Sequence, residues 1–286
     1  MLTEKKYAYT YEDYEEQGKD GKTMVTEILS DPDFPELKKI IIGCWGWAAE
    51  DGCQPVLDGI VENREQFSGI EELFVGDMDF EECEVSWIIQ GNYSRLWEAM
   101  PGLRELTIKG STDLTLGNIR HDNLESLTII CGGLPESVIK EIEKAKLPNL
   151  KKLLLYIGSD NYGFDGNEDT IKSLLDHMDF PNLEYLGIAD SEIQDQLAEV
   201  VLKNKIMGQL HTLDLSCGTL TDKGGALILE TVPQYPNLEK LDVHYHFMTK
   251  DMVKKLQALP VEVDASDANQ PDEYDGEIYL YAMLTE

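Results

Sequence analysis

Residues 210–225 read LHTLDLSCGTLTDKGG. Leu210, Leu213 and Leu215 give the spacing L-x-x-L-x-L, followed by a small residue, Cys217, then Leu220 and a Thr-Asp-x-Gly turn. Side chains alternate between the two faces of an extended strand, so Leu213 and Leu215 point one way and Asp214 the other. A strand of this kind buries one side only and needs a neighbour to cover it.

The same frame runs through the chain, as LKKIII (Leu37, Ile40, Ile42), IEELFV (Ile70, Leu73, Val75), LRELTI (Leu103, Leu106, Ile108) and LESLTI (Leu124, Leu127, Ile129). It continues as LKKLLL (Leu150, Leu153, Leu155), LEYLGI (Leu183, Leu186, Ile188) and LEKLDV (Leu238, Leu241, Val243). With LHTLDL these make eight clear copies, and PVEVDAS, keeping Val261 and Val263, makes a ninth. Successive starts lie 33, 33, 21, 26, 33, 27 and 28 residues apart, so the connections vary while the strand frame holds. Between the strands, PESVIKEIEKAK, EDTIKSLLDHM, SEIQDQLAEVVLKNK and TKDMVKKLQAL place apolar residues at three- and four-residue steps, as amphipathic helices do. Ser191 and Gln194 have capping-box spacing, and Thr249 is the expected N-cap of the last helix. The 21-residue connection after Leu103 is too short for a full helix.

Strand, turn and helix repeated in parallel predict an α/β solenoid with strands on its inner side and helices on its outer. The frame from Leu210 to Gly224 resembles the ribonuclease-inhibitor class of leucine-rich repeats, a horseshoe with parallel strands on the concave face and helices on the convex face. The phrases GDMDFEECEVSWI, GGLP, YIGSDNYG, DSEIQD, LDLSCGTL and DVHYHFMTKDMV are similar to a family of bacterial cytosolic leucine-rich-repeat proteins over essentially the whole chain. That resemblance implies the fold and no particular activity. The expected organisation is one structural domain: a cap over residues 1–33, about nine irregular repeats over 34–264, and an acidic loop and second cap over 265–286. YAYTYEDYE (7–15) and EIYLYAML (277–284) are each expected to add an edge strand, because a bare terminal repeat leaves its apolar face open to water.

The net charge is −31, from 55 acids and 24 bases, in a chain that is 42% hydrophobic. The hydrophobic share builds a substantial core, and the charge repels nucleic acid and anionic membranes while favouring a basic protein partner. Seven acids and no base occupy EELFVGDMDFEECE (71–84). No apolar run reaches the ~20 residues of a bilayer span. Five cysteines without a C-x-x-C pair, Cys44, Cys53, Cys83, Cys131 and Cys217, read as buried thiols of a cytoplasmic protein. Cys217 and Cys131 are expected inside the core as the small residues of their repeats. Trp45, Trp47, Trp87 and Trp97 are expected to pack strand onto helix, with Trp45 and Trp47 as partner anchors should they prove exposed at the rim.

Asp242, His244 and His246 alternate in LDVHYHFMT. The repeat frame places Asp214 beside Asp242 and Ser216 beside His244, about 5 Å away. Asp214, Asp242 and His244 are the ligand types of a divalent-metal site, which makes a metal-dependent hydrolase or a metal-binding protein the alternative function. Ser216, His244 and an aspartate lack the nucleophile elbow and oxyanion hole that acyl transfer needs. DNYGFDGNED (160–169) and DEYDGE (272–277) lack the ligand order of an EF-hand, and neither GGLP nor DKGG is a phosphate loop, so no cofactor is expected. The favoured expectation is a non-enzymatic protein-binding scaffold. Its partner contacts would be the outward strand positions Phe74, Lys109, Lys152, Tyr156, Tyr185, Asp214, Ser216, Lys240, Asp242 and His244.

Overall fold

The computed structural model describes residues 3–284. Ten parallel strands form one sheet in strict chain order. They are β1 (Glu4–Tyr7), β2 (Lys39–Ile42), β3 (Glu72–Val75), β4 (Glu105–Lys109), β5 (Ser126–Ile130), β6 (Lys152–Gly158), β7 (Tyr185–Ser191), β8 (Thr212–Asp214), β9 (Lys240–Asp242) and β10 (Glu262–Asp264). Helices alternate with the strands from β2 onward, except between β4 and β5, an α/β arrangement compatible with a solenoid.

The register follows the repeat frame. Leu73, Leu106, Leu127, Leu153, Leu186, Leu213 and Leu241 stand side by side across successive strands. These residues are buried and belong to one apolar core with helix residues such as Val56, Leu57, Ile139, Ile171, Leu174, Leu197 and Ile228. Each buried leucine contributes roughly 1.5–3 kcal/mol, and a slip of one residue would turn the whole row to water.

The four segments with helical periodicity form helices at Glu136–Glu143, Glu168–His177, Gln194–Leu202 and Lys250–Leu256. Thr249 caps the last of them, accepting from the Met252 amide. Ser191 is no N-cap. It ends β7, and Gln194 reaches back to its amide from inside the helix, a geometry that capping-box spacing does not distinguish. The short connection after β4 contains no helix and is held by bridges from Thr112, Thr115 and Arg120 to neighbouring turns.

Both ends differ from expectation. The N-terminal edge strand is present, but it lies at Glu4–Tyr7, and Tyr11–Glu15 is a helix. Thr10 and Asp13 cap that helix reciprocally, which overrides the tyrosine alternation. At the C-terminus β11 (Asp272–Tyr274) and β12 (Glu277–Tyr279) form a separate antiparallel hairpin instead of an eleventh strand of the sheet. Asp275 and Gly276, with φ of 52° and 82°, supply the two left-handed residues of a tight hairpin turn. Residues 281–284 then run back to the ends of β7 and β8. Among the described residues no helix is long and apolar enough to cross a membrane.

Candidate functional site

The last strands close in the same way. Asp214, Asp242 and Asp264 are adjacent in register, and each accepts the backbone amide two residues on, from Ser216, His244 and Ser266. This local capture ends a strand, which explains the recurring aspartate in LDLS, LDVH and VDAS. His246 is no part of a ligand set: it is buried, with Nε2 on the Ala265 carbonyl and Nδ1 accepting from the Met248 amide.

Six of the expected site residues, Tyr156, Tyr185, Asp214, Ser216, Asp242 and His244, come together across β6–β9, with Tyr185 reaching Asp214 from the first position of β7, although not as an open surface. Asp214 and Ser216 are buried, contrary to their expected place on an exposed face. The Tyr185 hydroxyl donates to Asp214 Oδ2, Ser216 Oγ donates to Asp214 Oδ1 at 2.6 Å, and Lys152 Nζ sits 4.8 Å above the Tyr185 ring. Burial and the neighbouring Asp214 charge hold the Tyr185 hydroxyl far above its usual range. Lys240 is half-buried on β9, whereas Lys109 on β4 and Phe74 on β3 lie two and three strands from β6.

The metal-type ligands are also regrouped. Asp242, His244 and Asp264 offer donor atoms within 4.8 Å of one another, while Asp214 is engaged with Tyr185 and Ser216. Asp264 stands in place of Asp214 because both Asp214 oxygens are taken, Oδ2 by the Tyr185 hydroxyl and Oδ1 by Ser216.

Cys217 departs furthest from expectation. It is buried, has a left-handed φ of 65°, and is not part of the main apolar cluster; its sulfur lies against Ser216 and His244 instead. Sγ lies 3.3 Å from His244 Nε2, and His244 Nδ1 lies 2.7 Å from Asp242 Oδ1. Cys131 is buried as expected, and burial pushes its thiol up to about 12. The returning C-terminal segment covers this corner: the Met283 amide donates to the Cys217 carbonyl at 2.7 Å and the Leu284 amide to Asp190 Oδ1 at 2.8 Å. Asp190 is fully buried at the end of β7, and its Oδ2 has no hydrogen-bond partner. Burial raises its carboxyl to about 8.

A second feature lies at the other end of the sheet. Trp45 and Trp97 are buried as packing residues, but Trp47 is 42% exposed, Trp87 60% and Phe80 65%. Trp47 packs edge-on against Tyr11 and Tyr14, with centroids 5.8 and 5.1 Å away. Tyr14, Trp47, Phe80 and Trp87 line a depression of about 440 Å³ with Glu82 and Glu84. Among the described residues, Asp79, Glu81, Glu82 and Glu84 form no ion pair. Sequence reasoning singled out Trp47 but missed Phe80 and Trp87. The available signal was two large aromatics in or beside a run of seven acids, where a buried ring would drag charge inward.

No protein-family model matches the chain, and no curated protein matches it. Its structure is similar to the crystal structure of a protein from Bacteroides fragilis, with a TM-score of 0.90 and 42% sequence identity. The match covers 100% of this chain and 78% of that one. The chain belongs to the same family as the Bacteroides fragilis protein. Identity at this level over all of this chain, with a TM-score of 0.90, shows that the two proteins share this fold.

Proposed function

We propose that this protein is a leucine-rich-repeat solenoid of the ribonuclease-inhibitor-like kind, acting in the cytoplasm as a scaffold for a basic protein. The partner lies along the concave strand face and is anchored at the rim by Trp47, Phe80 and Trp87. The observation that carries this reading is the exposed aromatic cluster set among unpaired carboxylates. Large exposed rings are costly in water unless a partner covers them, and tryptophan is enriched among residues that dominate binding energy. Asp79, Glu81, Glu82 and Glu84 add long-range attraction for lysine and arginine, so association is fast and weakened by salt.

A test uses a synthetic peptide alternating Lys or Arg with Leu, titrated by fluorescence at two salt concentrations. Wild type binds it more weakly at high salt. Trp47→Ala with Trp87→Ala lowers affinity at least about 10-fold, since each hot-spot ring contributes ~2 kcal/mol. The melting temperature falls only modestly, because Trp87 is 60% exposed and Trp47, though packed on Tyr11 and Tyr14, is 42% exposed. Unchanged affinity in the double variant would remove the rim from the binding surface.

A further inference from the structure

At the exit of β8 a hydrogen-bonded chain runs from Cys217 Sγ to His244 Nε2 at 3.3 Å and from His244 Nδ1 to Asp242 Oδ1 at 2.7 Å. An ionised carboxylate only accepts, so Asp242 holds the imidazole with its proton on Nδ1 and its Nε2 lone pair toward the thiol. This is the order of groups that activates a nucleophilic sulfur: nucleophile, base, and a third group orienting the base. Cys217 also holds a left-handed backbone, φ 65°, which costs roughly 1–3 kcal/mol for a residue with a Cβ. The sulfur lies outside the main apolar cluster, against Ser216 Oγ at 3.5 Å and His244 Nε2 at 3.3 Å. The Tyr156 hydroxyl reaches the same sulfur. Asp190, fully buried with Oδ2 unpartnered, stands beside this corner, its amide bonded to the Ser216 carbonyl at 2.8 Å. An orphaned buried carboxylate oxygen marks a place where packing is incomplete without something further.

The C-terminal segment closes over these groups. Ala282 is buried, the Met283 amide donates to the Cys217 carbonyl, the Leu284 amide donates to Asp190, and the Tyr281 carbonyl accepts from the Tyr245 hydroxyl at 3.3 Å.

We propose that Cys217 is a nucleophilic thiol that accepts a small carbon electrophile, with His244 as its base, Asp242 orienting that base, and residues 281–284 a strap over the sulfur. In the step, His244 Nε2 takes the thiol proton as sulfur attacks carbon. The S–C bond forms, the bond from that carbon to its leaving group breaks, and the leaving group departs with the electron pair. With iodoacetamide the products are carboxamidomethyl-Cys217, iodide and protonated His244. Under the closed strap, burial holds the thiol up at about 12, which keeps it dormant.

The full-length protein carries its own controls. Cys53 and Cys131 are as buried as Cys217, and burial pushes both thiols up to about 12. The experiment is iodoacetamide labelling under native conditions, with the rate at each cysteine read by peptide mass spectrometry. Cys217 is expected to label at least ~10-fold faster than Cys53 and Cys131, and Met283→Pro, which removes the amide donor of the strap, speeds Cys217 alone about 10-fold further. His244→Ala slows Cys217 about 10-fold, and added imidazole restores part of the rate, a rescue that a merely structural histidine would not give. His244→Gln, which keeps a hydrogen bond to Asp242 without a base, is slow as well and guards against misfolding as the cause. Labelling of Cys217 no faster than Cys53 and Cys131 in both wild type and Met283→Pro overturns the proposal, as does a rate that His244→Gln leaves unchanged.

Discussion

Asp190→Asn raises the stability of the protein at pH 9 and leaves it nearly unchanged at pH 4. The wild-type carboxyl is fully buried, and only one of its oxygens is hydrogen-bonded among the described residues, by the Leu284 amide. Burial lifts its pKa from 3.8 to about 8. Folding therefore favours the protonated form. Below pH 4 both folded and unfolded chains hold the proton, and the group has no effect on stability. Between about 4 and 8 the unfolded chain releases the proton and the folded chain keeps it, so stability falls as pH rises, and it levels off above the folded pKa. A rise of that size corresponds to roughly 5–6 kcal/mol. Asparagine is neutral throughout and removes this loss, so at pH 9 the variant melts roughly 10 °C higher. Melting curves of both proteins from pH 4 to pH 9 check this, and parallel profiles would show that Asp190 titrates normally.

Gly158→Ala has a comparable effect of opposite sign. Gly158 ends β6 with φ of 72°, and a Cβ there would lie 1.8 Å from the Gly132 carbonyl oxygen. The obstacle is backbone, locked by the Ser159 amide donating to that same oxygen at 2.8 Å, so no side chain can swing aside. Left-handed strain and overpacking together destabilise by roughly 2–5 kcal/mol. Gly69→Ala is the control, with nothing within 4 Å of its Cβ and an ordinary backbone, and costs little. Denaturant unfolding of the pair separates them, and equal midpoints would contradict the close approach of the β6 exit to the turn at Gly132.

The strands were legible because their determinants are local and repeated. Leu213 beside Leu241 and Asp214 beside Asp242 follow from the frame alone, as does the Thr249 cap. What stayed hidden depends on contacts far apart in sequence or on one unusual dihedral. EIYLYAML alternates as a strand should, yet the turn at Asp275 and Gly276 folds part of it into a hairpin, and the rest lands on Cys217 and Asp190. Nothing in the tail's own composition names those targets. Cys217 occupies the small-residue position of its repeat, and neither its positive φ nor the approach of its sulfur to His244, 27 residues on, is visible in a spacing rule. Asp214 was expected to face a partner, but Tyr185, on the neighbouring strand, covers it. Trp87 and Phe80 were legible in composition and were passed over because large rings are ordinarily packed inside.

The rim is the central claim, and a photo-crosslinking residue substituted at Phe80, with Lys254 on the last helix as an exposed control, tests it most directly. Irradiated in extract of the cells that make the protein, the Phe80 position is predicted to give one discrete protein adduct, reduced by salt and lost in the Trp47→Ala, Trp87→Ala background. Adducts no different from those at Lys254 would contradict a partner seated on the aromatic and acidic rim.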